Sequence, residues 1–205
     1  MRGLRNVRRL YHHTMSNISF ELQDQLAPIL RSGDLAQCER IVSARLAALP
    51  VSPFHIILDL PITTDAEGLA AGFDEFFQQQ GARFKIEAAY TEMNGFDINT
   101  DLWFCQPFAY RQYGGLDDFD WLSAWKSDEE GGFAIEGLEQ LQAVYASDAF
   151  RDDRFDDACS VTSLLVVIRF QDLIRRAAAH MQGLRFPLLA TAHDYDFICA
   201  VRRDA

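Results

Sequence analysis

A chain of 205 residues with 30 acidic against 19 basic side chains has a formal charge of −11. A surface of that sign repels both a phosphate backbone and an anionic bilayer, which argues against a nucleic-acid binder or a membrane-surface protein. Apolar residues make up 49%, enough for a core without disulfide or metal staples, and no apolar run reaches the roughly 20 residues that span a bilayer.

The first fourteen residues stand apart. They hold Arg2, Arg5, Arg8, Arg9, His12 and His13 without an acid, and no secretory apolar region follows. A mitochondrial transit segment has this composition. So does a mis-assigned leader with Met15 as the biological start, which is the expectation, leaving 15–205 as a single domain.

Ser19 is placed to cap a helix through Leu22, Leu26 and Leu30, with Pro28 near its end. Asp34 caps a second, carrying Leu35, Cys38, Ile41, Val42, Leu46 and Leu49 and closed by Pro50. The apolar run 54–60, between Pro53 and Pro61, predicts a strand. Thr64 and Glu67 form a capping box for a helix through Leu69, Phe73, Phe76 and Phe77 that stops at Gly81, so strand, helix and next strand would make a βαβ-like segment.

The run 83–93 meets Asn94-Gly95, the signature of a two-residue hairpin, with a return strand over 96–104 ended by Gln106-Pro107. Gly114-Gly115 breaks the chain, and Asp117 or Asp118 caps a helix with Phe119, Leu122 and Trp125. A polar loop over 127–132, an edge strand over 133–135, a helix through Leu138, Leu141, Val144 and Tyr145, and an acidic loop over 148–157 follow. Residues 158–181 combine strand-favouring Val166-Val167-Ile168 with a helical stripe too long for any strand, and predict one long helix. Strands over 186–192 and 195–201 complete an α+β fold, a mainly antiparallel sheet with helices on one face.

No P-loop, dinucleotide fingerprint, nucleophile elbow or zinc-protease motif occurs, and no cofactor is implied. Cys38, Cys105, Cys159 and Cys199 are scattered among apolar neighbours, the pattern of buried, reduced thiols in a cytoplasmic protein. The best polar constellation is His193-Asp194-Tyr195-Asp196, an imidazole beside carboxylates as in hydrolytic or metal sites. On a strand His193 and Asp194 face opposite ways, and a solvated turn accounts for the same residues. His55 and Asp59 would share one strand face about 13 Å apart, too far for direct contact. Glu92, Asp97 and Asp101 flank the expected hairpin, where a wet sheet face explains them as well as acid–base chemistry does.

Charge and aromatics concentrate in one stretch. Residues 97–157 hold 15 acids against 4 bases, a deficit of 11 that equals the whole formal charge, and all three tryptophans lie among them. Much of that aromatic content is core. The excess is Tyr110, Tyr113 and Trp121, beside Gly114-Gly115 and Asp117, Asp118 and Asp120, which predicts a recognition face for a basic protein partner. In acidity, size and lack of motifs the whole chain is similar to the immunity proteins of bacterial toxin systems, which neutralise a basic toxin by covering its active site. That resemblance, one of composition alone, implies an inhibitor. A small enzyme or metal-dependent hydrolase using His193, Asp194 and Asp196 with His55 is the alternative, and a homo-oligomer burying the aromatic patch is a third reading. Mass spectrometry of the native protein is expected to find the chain starting at Met15 or Ser16; an intact Met1 would refute the leader assignment.

Overall fold

The structure, a computed structural model, describes residues 17–127 and 132–201; the expected leader and most of the expected polar loop lie outside the described residues. Helices α1 (Asn17–Ser32), α2 (Leu35–Ala47) and α3 (Ala66–Gly81) precede strands β1 (Ala88–Met93), β2 (Phe104–Tyr110) and β3 (Phe133–Ala134). Helices α4 (Glu139–Tyr145) and α5 (Asp156–His180) and strands β4 (Leu188–Ala192) and β5 (Cys199–Val201) complete the chain order. The strands form one sheet in the order β3-β2-β1-β4-β5, antiparallel at every pairing except β1 with β4. Strands and helices together make an α+β architecture. No described helix is long and apolar enough to cross a membrane.

The expected long helix is α5, and the fold is assembled around it. From Ala158 to Ala178 most of its residues are buried, against α1, α2 and α3 and against the sheet. Up to Gln171 the helix is enclosed on nearly all sides and has to be apolar nearly all round, while beyond it Arg175 and Arg176 are exposed. That is why β-branched Val166-Val167-Ile168 stays helical: burial outweighs an intrinsic preference worth only tenths of a kcal/mol, roughly, per residue.

The polar residues that α5 carries inward meet segments from several other parts of the chain. Thr162 Oγ1 donates to the carbonyl of Phe54 at 3.4 Å, and Ser163 Oγ meets the Tyr145 hydroxyl at 2.7 Å. Arg169 pairs with Glu39 of α2 at 2.7 Å and donates to the carbonyls of Ile57 and Leu60. Gln171 Nε2 donates to the carbonyls of Ala190 and Phe197, at 3.1 and 2.6 Å.

This matching corrects the expected strand over 54–60, and with it the βαβ-like segment. Pro53–Asp59 is a 3-10 helix. Proline at its first position presets a helical φ, and Phe54 and Ile57, three residues apart, both reach full burial, a period of three rather than two. Arg169 donates to two carbonyls at the end of this turn, that of Ile57, which also accepts the Leu60 N–H, and that of Leu60. At α3 the cap is Asp65, whose carboxylate accepts from Glu67 and Gly68 N–H, while Thr64 Oγ1 accepts from the Glu136 N–H. Ser19 lies inside α1, fully buried, and not at its cap.

The Asn94-Gly95 hairpin is also corrected. A type I′ turn needs positive φ at both central residues, and neither Asn94 nor Gly95 has it. Asn94 instead ties the base of a longer loop: its amide donates to the Leu102 carbonyl and accepts from the Phe104 N–H, both at 3.0 Å. The loop sends Phe96 and Trp103 into the core, with Trp103 Nε1 donating to the Phe96 carbonyl at 2.9 Å. The return strand is therefore β2, which contains Gln106-Pro107 instead of ending before it. Alternation along the ladder turns the nitrogen of Pro107, opposite Thr91, away from β1, so the missing N–H breaks no bond there. Residues 148–155, expected as a plain loop, form two 3-10 turns leading into α5.

Replacing Arg169 with Met should remove the side-chain donor to the Leu60 carbonyl and to Glu39, leave the Ile57 carbonyl with only the Leu60 N–H, and cost about 2–4 kcal/mol. Urea denaturation checks this; a loss within experimental error would show that the pairing is dispensable.

Candidate functional site

One face of the sheet packs on the helices. The other carries Ala88, Tyr90, Phe108, Tyr110 and Leu189, and among the described residues no α-helix covers it. Its cover is the excursion between β2 and β3, which lays Phe119, Trp121 and Leu122 over those side chains. The excursion is tied at both ends. Tyr110 donates its hydroxyl to the Leu122 carbonyl at 2.9 Å, while Ala109 binds Lys126 N–H through its carbonyl and Ser127 Oγ through its N–H. Trp121 packs edge-on against Tyr110 at 4.9 Å and Tyr113 at 5.5 Å, and its Nε1 donates to the Gly115 carbonyl at 3.1 Å. A side chain at Gly114 would stand 2.3 Å from the Trp121 ring, so the indole fixes the choice of glycine there. The expected helix is a short 3-10 turn, Asp120–Ala124, whose leading N–H is taken by Asp118 Oδ1 at 2.9 Å.

The predicted face thus divides into support and display. Tyr110 is buried, and burial followed by the nearby Glu92 charge pushes its phenol well above the usual range. It holds Trp121 rather than meeting a partner. Trp121 is half-buried, and Tyr113 (38% exposed), Leu116 (39%) and Trp125 (40%) are the large apolar groups turned outward. Asp117, Asp118 and Asp120 are all exposed, and among the described residues none forms an ion pair.

The residues of the alternative hydrolytic site do not converge. His193 and Asp194 form a turn after β4, with Asp194 at a φ of +64° and its Oδ1 3.7 Å from His193 Nε2. Asp196 lines a groove beside β5, and His55 sits in the 3-10 helix with Nδ1 accepting the Ser52 N–H at 3.2 Å and Nε2 buried without a partner. Asp59 lines a separate cleft of about 410 Å³ beside Arg169. Asp97 and Asp101 lie in the loop tied by Asn94, not on a strand face. Among the described residues no three His, Cys, Asp or Glu side chains group to hold a metal ion.

One polar cluster was not foreseen. His193 Nδ1 lies 3.3 Å from Glu92 Oε1, and Tyr90 donates its hydroxyl to Glu92 Oε2 at 2.8 Å. It forms because β1 and β4 run parallel and end side by side. Residues 101 apart in sequence meet there, and no local pattern announces that. Burial first, and then the Glu92 charge, push the Tyr90 phenol far above its ordinary range. Compared with known proteins, the chain matches no family model, no curated protein and no solved structure.

All four cysteines are free and buried. Burial raises Cys38 from 9.0 to about 11 and Cys105, Cys159 and Cys199 to about 12, with the Asp34 charge adding to the shift at Cys38. Above pH 9 the unfolded chain loses these protons while the folded chain keeps them, so stability falls as pH rises through the window from 9 to about 12. A lower urea midpoint at pH 10 than at pH 8, with no thiol of the folded protein reacting with Ellman's reagent at pH 8, is the expected result. A rapidly reacting thiol would contradict it.

Proposed function

We propose that this chain is a cytoplasmic protein-binding module and that the excursion between β2 and β3 is its binding face. The observation that supports it is the pairing, on one tethered loop, of outward Tyr113 and Leu116 with three exposed aspartates that have no cationic partner among the described residues. Unpaired carboxylates raise the encounter rate with a basic protein, and ordered aromatic and aliphatic groups supply the contact that holds it. Tethering matters because a preordered loop loses less entropy on binding. Trp121 is fixed from below by Tyr110 and from the side by Gly115, so the surface exists before the partner arrives.

The finer reading is an immunity-type inhibitor, in which this face covers the active site of a basic toxin or enzyme. The localised charge supports it. A basic nuclease or similar toxin carries its positive potential at its substrate cleft, the place where a cluster of aspartates would seat. Free, buried thiols are compatible with a reducing cytoplasm.

Affinity capture from the native cell with the tagged protein should retain a basic protein. Replacing Asp117, Asp118 and Asp120 with Lys should weaken that complex by at least about tenfold and flatten its dependence on salt. Unchanged affinity and salt dependence in the triple variant would overturn the reading.

A further inference from the structure

Among the described residues strand β5 is an edge strand, paired with β4 alone. The direction of its free backbone groups follows from the ladder on the far side of β4. There Ala89 N–H donates to the Pro187 carbonyl and His193 N–H to the Met93 carbonyl, so the odd-numbered residues of that segment point their backbone groups at β1. Leu188 and Ala190 therefore point theirs at β5, where their partners are Val201 and Cys199. Ala200, between those two, is left with both N–H and C=O facing away from the sheet, and the Ile198 carbonyl faces the same way. The Ile198 N–H is already bonded to the Asp196 carbonyl at 3.0 Å.

This edge does not open onto a flat surface. A groove of about 1080 Å³ runs along it, with Leu30 and Leu35 on the helix side and Leu116 and Phe119 on the open side of the sheet. Two carboxylates line it, Asp117 and Asp196, both exposed and neither in an ion pair among the described residues. Two cations also line it: Arg175, which is held by Asp172 at 2.7 Å, and Arg31, which is exposed in the last turn of α1. Asp118 and Asp120 follow Asp117 along the chain and extend the negative charge beyond the groove.

We propose that the groove takes an extended segment of a basic protein partner, which adds to β5 as a further strand. It would donate to and accept from Ala200 and donate to the Ile198 carbonyl, with apolar side chains on Leu116 and Phe119 on one side and on Leu30 and Leu35 on the other. Strand addition draws its affinity from such main-chain bonds and its selectivity from alternate side-chain pockets. With Arg175 held by Asp172, Asp117 and Asp196 in the groove and Asp118 and Asp120 beyond it outnumber Arg31, and this excess favours Lys or Arg on the added strand. Edge strands are often kept short to avoid indiscriminate pairing, and β5 has three residues between two walls, which admits one extended chain and not a second sheet. This inference rests on the binding face proposed above and adds the way its partner is held.

Ala200→Pro is the deciding variant. Its N–H takes no part in the β4 ladder, so proline removes the outward donor and leaves the sheet intact, as an unchanged thermal midpoint would verify. A fluorescein-labelled nonapeptide of three Val-Val-Lys repeats, which carries valine and lysine on both faces of a strand, should bind the unmodified protein saturably and bind Ala200→Pro about tenfold or more weakly. The same peptide N-methylated at alternate residues gives an equivalent loss on the unmodified protein, even if the variant fails to fold. No saturable binding, or equal affinity with Ala200→Pro and with the N-methylated peptide, would overturn strand addition. So would two other outcomes: peptide binding that appears only after residues 1–16 are removed, which makes the occupant the chain's own segment, or a dimer in sedimentation equilibrium that Ala200→Pro dissolves, which makes it a second copy. If Ala200→Pro leaves capture of the native partner intact while reversal of Asp117, Asp118 and Asp120 abolishes it, the strand-addition mode fails and the acidic face stands.

Discussion

The structure depends on one constraint: a helix buried along most of its length must still find acceptors for the donors it carries inward. Leaving a buried donor unpaired costs about 1–3 kcal/mol, so the partners of Thr162, Ser163, Arg169 and Gln171 are not free to drift. Each of these residues fixes a segment that has no regular ladder of its own. Arg169 and Thr162 hold the 3-10 helix after Pro53, Ser163 holds the end of α4 through Tyr145, and Gln171 bridges β4 and the chain approaching β5. The apolar residues of α5 provide the driving force for assembly, and its few polar ones set the positions of what assembles.

The two sides of the sheet solve burial differently. Helices cover one side. The other is covered by a loop whose aromatic residues serve as both core and surface, and this duality gives the candidate face its order. Tyr110 and Phe108 are sheet residues, Trp121 and Trp125 are loop residues lying on them, and Tyr113 is the outermost layer of the same stack. Aspartates on so constrained a loop are held at fixed spacing. Asp117, Asp118 and Asp120 are exposed there and form no ion pair among the described residues.

The polar residues outside this face do less. His193, Glu92 and Tyr90 form a closed relay at the joint ends of β1 and β4, and their hydrogen bonds hold the turn that leads back toward β5. Asp196, a few residues on, turns into the groove beside β5 instead of toward the imidazole. The turn thus separates residues that are neighbours in sequence and places one of them against the edge strand.

The helices were legible in the sequence, because their determinants are local. Asp34 beside a periodic apolar run and a helical stripe over 158–181 too long for a strand mark helices from local sequence. The acidic, aromatic character of 110–121 was legible for the same reason, since charge and residue type need no fold to be counted. Only the tertiary structure decided which of those aromatics are displayed, because Tyr110 and Tyr113 differ in burial through what the sheet beneath them offers, not through their neighbours in sequence. It also decided that Asn94-Gly95 opens a long loop, as Phe96 and Trp103 gain more by entering the core than a two-residue turn could return. The parallel pairing of β1 with β4, the meeting of Glu92 with His193 and the free edge at Ala200 belong to the same class. Each is a contact between distant segments, fixed by how α5 holds them and therefore absent from any local pattern.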